Sequence, residues 1–189
     1  GSLRQFIIKF IFGCLVTIFS IVYIVSLFTF SEEDPGFKTF SNNQGNQEIY
    51  NYFGIFGSYL SSYSIVIIGS MSYLIGLFLL FEGLKTLLGI VNKNIIIRFL
   101  LNLSGVLFIG VSFYFFEIQI FNVGLISLFL FDQINFYLFD RINNIFLIYL
   151  VNIFITIIAF ILIVLSFLEK YKFIKKILIY LIFLSFIKY

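Results

Sequence analysis

Residues 145–168 read IFLIYLVNIFITIIAFILIVLSFL, a stretch with no charged residue. At 1.5 Å of rise per residue, about 20 apolar residues carry a helix across a bilayer core. Helices of soluble proteins are rarely apolar on every face for that long. Three further apolar runs precede this one, at residues 10–30, 62–81 and 95–116. The pattern predicts an all-α, polytopic membrane protein with four transmembrane helices over residues 1–170 and a short tail over 171–189.

Charge is sorted around these runs. Arg4 and Lys9 precede the first, Lys85, Lys93 and Arg98 cluster between the second and third, and Lys170, Lys172, Lys175, Lys176 and Lys188 follow the fourth. The intervening segments carry Glu32, Glu33, Asp34 and Glu48 against Lys38, and Glu117, Asp132 and Asp140 against Arg141. Lys and Arg stay on the cytoplasmic side of a membrane. The predicted orientation therefore puts both termini in the cytoplasm, as an even number of spans requires. A basic start followed by an apolar run also fits a signal peptide, but this run is too long and no small-residue cleavage site follows it. The chain does not begin with Met, and it is expected to be a piece of something larger.

The two outside segments differ. Asp34-Pro35-Gly36 is turn chemistry, and Ser41 to Gln47 is a polar loop. Asn51 to Ser58, with Gly54 and Gly57 three apart, leads into the second span. Asn122 to Phe131 is apolar but too short to cross before Asp132, so an interfacial or re-entrant helix is expected. A six-span count would bury Asp132 in the bilayer at high cost. Ile177 to Ile187 is about half a span in length and bracketed by Lys175, Lys176 and Lys188. It is expected to lie at the cytoplasmic interface or to pack with neighbouring subunits.

Composition removes several function classes. There is no His and one cysteine, Cys14, so neither a disulfide nor a His/Cys metal site can form within one chain. The formal charge of +3 resides in Lys and Arg beside the spans and suits anionic headgroups rather than nucleic acid. No phosphate-binding GxxxxGK[ST] loop occurs, and no catalytic set is visible. No catalytic, cofactor-binding or metal-binding residue is predicted.

Polar and small residues inside the spans are read as packing groups. Gly69, Ser72, Gly76 and Gly83 share one face of the second span, for a contact within the chain or between copies. Asn102 and Asn152 each need a partner in a medium of low dielectric. Interhelical hydrogen bonds explain them more simply than a transport path. Glu82 and Glu117 are expected at span ends, within reach of headgroup water.

The first run ends Ser26-Leu27-Phe28-Thr29-Phe30-Ser31 and is followed by Asp34-Pro35-Gly36-Phe37. This resembles the Ser-Phe…Asp-Pro signature after the first helix of the FtsK/SpoIIIE family of bacterial DNA translocases. In the same order, Asn51, Gly54 and Gly57 resemble the family's approach to its second helix, and Gly69 to Tyr73 a following Gly-containing motif. Arg98 and Gly105 match its third helix, and Gly124 a Gly-Gly segment of its outer loop. Two positions depart from the pattern: Gly76 stands where the family usually has Pro, and Asn122-Val123 replaces the glycine pair. A Gly at 76 still permits a bend.

The resemblance implies an N-terminal membrane domain that anchors a translocase in the bacterial inner membrane at the division septum, for cell division and chromosome segregation. It further implies a lipid bilayer, other copies of the chain and divisome membrane proteins as partners. ATP, Mg²⁺ and DNA belong to a motor that would lie beyond Tyr189. The competing classes are a small four-span transporter subunit and an unrelated membrane scaffold.

Overall fold

The computed structural model describes residues 3–37, 48–90, 94–118, 122–138, 141–142 and 144–168. Six helices occur in these residues and no strand: α1 (Leu3–Phe28), α2 (Gly54–Ile67), α3 (Ser72–Leu87), α4 (Ile95–Phe115), α5 (Leu125–Tyr137) and α6 (Ile145–Phe167). The expectations for the loop at 41–47 and for the tail at 171–189 fall outside the described residues.

α1, α4 and α6 are each long and apolar enough to cross a membrane. They begin and end close to the first, third and fourth runs, although α1 starts earlier and takes Arg4 and Lys9 into the helix. The second run is different. Residues 62–81 do not form one continuous span, because the helix breaks between Ile67 and Ser72.

The break has a tertiary cause. Gly69 has φ of +100°, the left-handed region that favours glycine. Ser70 donates its N–H to the carbonyl of Asn122 at 2.8 Å, and the Asn122 N–H bonds to Ser70 Oγ at 2.9 Å. Gly69 and Val123 form an isolated antiparallel bridge. A Cβ on Gly69 would lie 2.7 Å from both the Asn122 carbonyl oxygen and the Gly124 nitrogen, while one on Gly124 would overlap the backbone of Ile68. Two backbones meet here, and a side chain on either glycine would separate them.

α1 and α3 run antiparallel. The buried stripe of α1 is Gly13, Thr17, Ser20, Tyr23, Ser26 and Leu27, mostly small residues, while Phe12, Leu15, Ile18 and Phe19 are exposed. That inverts the pattern of a soluble helix and suits a lipid solvent, where small residues let helices approach. The hydroxyls of Thr17, Ser20 and Ser26 are satisfied by carbonyls four residues back in their own helix. A Cβ on Gly76 would come within 2.6 Å of Ile24 Cγ1, and one on Gly83 within 2.6 Å of Thr17 Oγ1. The Gly76 and Gly83 positions of the small-residue stripe thus serve a contact inside the chain. α3 ends at Gly89, φ +74°, with Gly89 N–H bonded to Thr86 and Ile90 N–H to Lys85, a Schellman motif.

α4 and α6 form the second antiparallel pair. A Cβ on Gly105 would lie 2.8 Å from the Ala159 carbonyl oxygen, and Thr156 Oγ1 donates to Ser112 Oγ at 2.9 Å. The two pairs meet where Phe78 of α3 packs on Phe99 of α4 and Phe167 of α6. α5 is the short helix expected in the second outside segment. Ser127 Oγ bonds the Leu107 carbonyl at 3.0 Å, at a point about 12 Å before the end of α4. α5 therefore begins beside the middle of α4, as a re-entrant helix would.

Candidate functional site

Most of the residues that carry the family resemblance gather at backbone junctions. At the first, Asp34 is 4% exposed, and its two carboxylate oxygens accept the N–H groups of Tyr50 at 2.8 Å and Asn51 at 2.9 Å. Asn51, also buried, donates to the carbonyls of Ser26 at 2.8 Å and Thr29 at 3.3 Å, and accepts the Phe53 N–H at 3.1 Å. Pro35 offers its carbonyl to the Ser58 hydroxyl. Gly57 leaves room for the Asn51 amide, which a Cβ would overlap. Gly54, φ +59°, turns the chain into α2 with open space around it. Phe30 packs partly buried against the core of Tyr23, Leu27 and Ile65. Phe30, Asp34, Pro35, Asn51, Gly54 and Gly57 therefore form one structure that ties the end of α1 to the start of α2.

α2 presents Ser58, Ser61 and Ser62 inward and Ile55, Phe56, Tyr59 and Tyr63 outward. Beside it, a cavity of about 250 Å³ lies between Phe30, Glu32, Asp34, Ile65, Val123 and Leu128. The second junction is the Gly69–Gly124 contact described above. Both junctions lie on the same face of the bundle, which is the outside in the predicted orientation.

The third grouping was not legible as such. Glu82 is not at a wetted helix end: its side chain is fully enclosed. It pairs with Arg98, also fully enclosed, and with Lys85 at 3.8 Å. Arg98 Nε donates to the Ser166 carbonyl at 2.7 Å, and its guanidinium stands 5.7 Å from the centre of the Phe78 ring. Lys85 lies 5.3 Å over the Phe81 ring. The sequence singles out Arg98 as a family-motif residue and places Glu82 at a wetted span end; their pairing, and the role of Ser166, come from the structure. The available signal was Glu82 and Lys85 one turn apart in an otherwise apolar stretch. Glu117, by contrast, is exposed at the end of α4, as expected.

The two asparagines do not bond to each other. Asn102 Nδ2 donates to Ser166 Oγ at 3.1 Å, the kind of interhelical bond expected. Asn152 is fully buried, and its amide has no hydrogen-bond partner among the described residues. Ser72 is buried at the start of α3. Gly110, another close contact that the sequence reading passed over, lies against Ser127 of α5.

These features define an all-helical membrane domain whose polar groups serve helix contacts and chain turns. The chain belongs to the FtsK/SpoIIIE family: the family described as the 4TM region of DNA translocase FtsK/SpoIIIE matches residues 7–172. Comparison with curated proteins and with solved structures gives no match. The matched region is the membrane part of such a translocase and not its motor.

Proposed function

We propose that this chain is the membrane anchor and assembly domain of a septal DNA translocase that acts in cell division and chromosome segregation. The observation that carries the reading is the family match over residues 7–172, which takes in all six helices except the first turn of α1. The placement of the motif residues supports it. Asp34, Asn51, Gly57, Gly69 and Gly124 hold backbone to backbone, as a module that must keep its shape in lipid requires. Lipid contact follows from the exposed Phe, Ile and Leu of α1 and α6.

In this reading both termini face the cytoplasm of a bacterial inner membrane, because the basic residues gather on that side. The domain gathers several copies, and the outside face built by the 31–37 turn, α2 and α5 meets divisome membrane proteins. ATP, Mg²⁺ and DNA are handled by a motor in the parent protein. None of the 189 residues forms a GxxxxGK[ST] phosphate loop, so no step of that chemistry is assigned here. A transporter reading gains nothing from Asn102 and Asn152, both fully buried between helices.

A fluorescent fusion of residues 1–189 should collect at the septum of dividing cells. Replacing this segment in the parent protein by an unrelated four-span anchor should abolish that localisation and leave DNA translocation by the soluble motor intact. An even distribution of the fusion around the envelope would refute the septal role.

A further inference from the structure

α3 crosses the bundle with less apolar sequence than the helices around it. Its uncharged part is residues 72–81, about 15 Å of helix against a hydrocarbon thickness of about 30 Å. Glu82 and Lys85 follow at once. α1, α4 and α6 are each apolar enough to cross. α2 cannot lengthen α3, because the helix is broken at Gly69 and Ser70 is bonded to Asn122.

The carboxylate of Glu82 lies beside Arg98 and Ser166, within about one turn of the ends of α4 and α6, and its neighbour Gly83 touches Thr17 of α1. Its side chain is fully enclosed. Ionisable groups inside a membrane are costly and are found paired with one another or facing the protein interior. Lys85 of α3 itself stands 3.8 Å from Glu82, outside hydrogen-bond distance, and the closer cation comes from the next helix. Arg98 reaches Glu82 from the first turn of α4 and is itself fixed by the Ser166 carbonyl and the Phe78 ring. The connection from α3 to α4 is short, residues 88–94, so the two helices form a hairpin and their charges meet without help from distant parts of the chain.

The geometry points to Arg98 as the residue that admits α3 to the membrane. α3 and α4 enter and hold their crossing as one hairpin, and Arg98 gives Glu82 the close, enclosed ion pair that Lys85 of α3, 3.8 Å away, does not. Arg98 is a positioning residue in this scheme, acting through Glu82. A cluster that only tightened an already inserted fold would affect stability and leave the sidedness of the α3–α4 turn unchanged.

The test uses the full chain in cells with Cys14→Ala and one reporter, Ile90→Cys, at an exposed position of the turn. An impermeant maleimide reads which side the reporter occupies, relative to the chain that carries the reporter alone. Arg98→Leu is expected to shift the reporter to the opposite side, with a severalfold change in labelling. Glu82→Leu combined with Arg98→Leu is expected to restore the original side, because the carboxylate that needed a partner is gone. The swap Glu82→Arg with Arg98→Glu should also restore it. Loss of a cytoplasmic cation alone would give the shift without rescue by Glu82→Leu, since acidic residues count little in setting orientation.

The proposal is overturned if Arg98→Leu leaves the reporter on its original side, or if the Leu–Leu pair is shifted like the single variant. If Arg98→Leu is degraded before labelling, recovery of both protein level and sidedness in the Leu–Leu chain supports the proposal, and failure to recover refutes it. The readout is a change of side, so it holds whichever face is cytoplasmic and is independent of septal localisation.

Discussion

Asp34 and Asn51 clasp the two ends of the first outside segment: Oδ2 of Asp34 accepts the Asn51 N–H at 2.9 Å, and the Asn51 amide reaches back to the Ser26 carbonyl at 2.8 Å. A carboxylate and an amide, both buried, thus take up backbone groups that neither helix can satisfy itself. The chain returns to the end of α1 before it starts α2, and the start of α2 is fixed with respect to α1.

Asp34→Ala removes the acceptor of two buried N–H groups at once. It should cost about 2 kcal/mol or more of stability. Glu32→Ala, exposed on the same turn, should stay within about 0.5 kcal/mol. Unfolding of the purified chain in mild detergent compares the two, and equal losses would contradict the clasp.

Gly69 and Gly54 both have positive φ, but only Gly69 is pressed against another backbone. Gly54→Ala should cost about 1 kcal/mol, the penalty of the left-handed conformation alone. Gly69→Ala adds a clash with Asn122 and Gly124 and should cost clearly more, separating α5 from the α2–α3 break. Hydrogen exchange at Ser70 and Asn122 reports the separation; unchanged protection there would refute the contact.

Ser112 and Thr156 face each other with their hydroxyl oxygens 2.9 Å apart. In a Cys14→Ala background, Ser112→Cys with Thr156→Cys should form a disulfide within one chain under mild oxidation. Gly105→Leu, which drives a side chain into Ala159 and Ile163, should reduce that yield severalfold. Mobility on a non-reducing gel measures it, and an unaffected yield would mean that α4 and α6 do not depend on Gly105 to meet.

The orientation predicts that Asn43→Cys is labelled from outside intact cells by an impermeant reagent and that Lys93→Cys is protected. The reverse result would put any cytoplasmic motor on the wrong side and end the anchor proposal.

Hydropathy and charge order are properties of the chain in one dimension, and they were enough for much of the architecture. Residues 95–116 and 145–168 become α4 and α6 almost residue for residue, because an apolar stretch of that length has no other way to satisfy its backbone in lipid. The short apolar stretch before Asp132 forms the first half of the short helix α5, which continues through Asp132 to Tyr137. The motif residues were identifiable by type and spacing, and Asp34 and Asn51 carry the turn chemistry those types suggest.

What the chain in one dimension did not contain is where separate segments touch. Residues 62–81 are as apolar as a span should be, yet they break because Gly69 meets Gly124, and that contact exists only because α5 starts beside the middle of α4. Glu82 looks like a residue that could reach water, and it is enclosed because Arg98 and Ser166 arrive from two other helices. Helix formation in a membrane is set by local transfer into lipid. The cost of a break or a buried charge is set by the neighbour that compensates it, and only the tertiary structure supplies that neighbour.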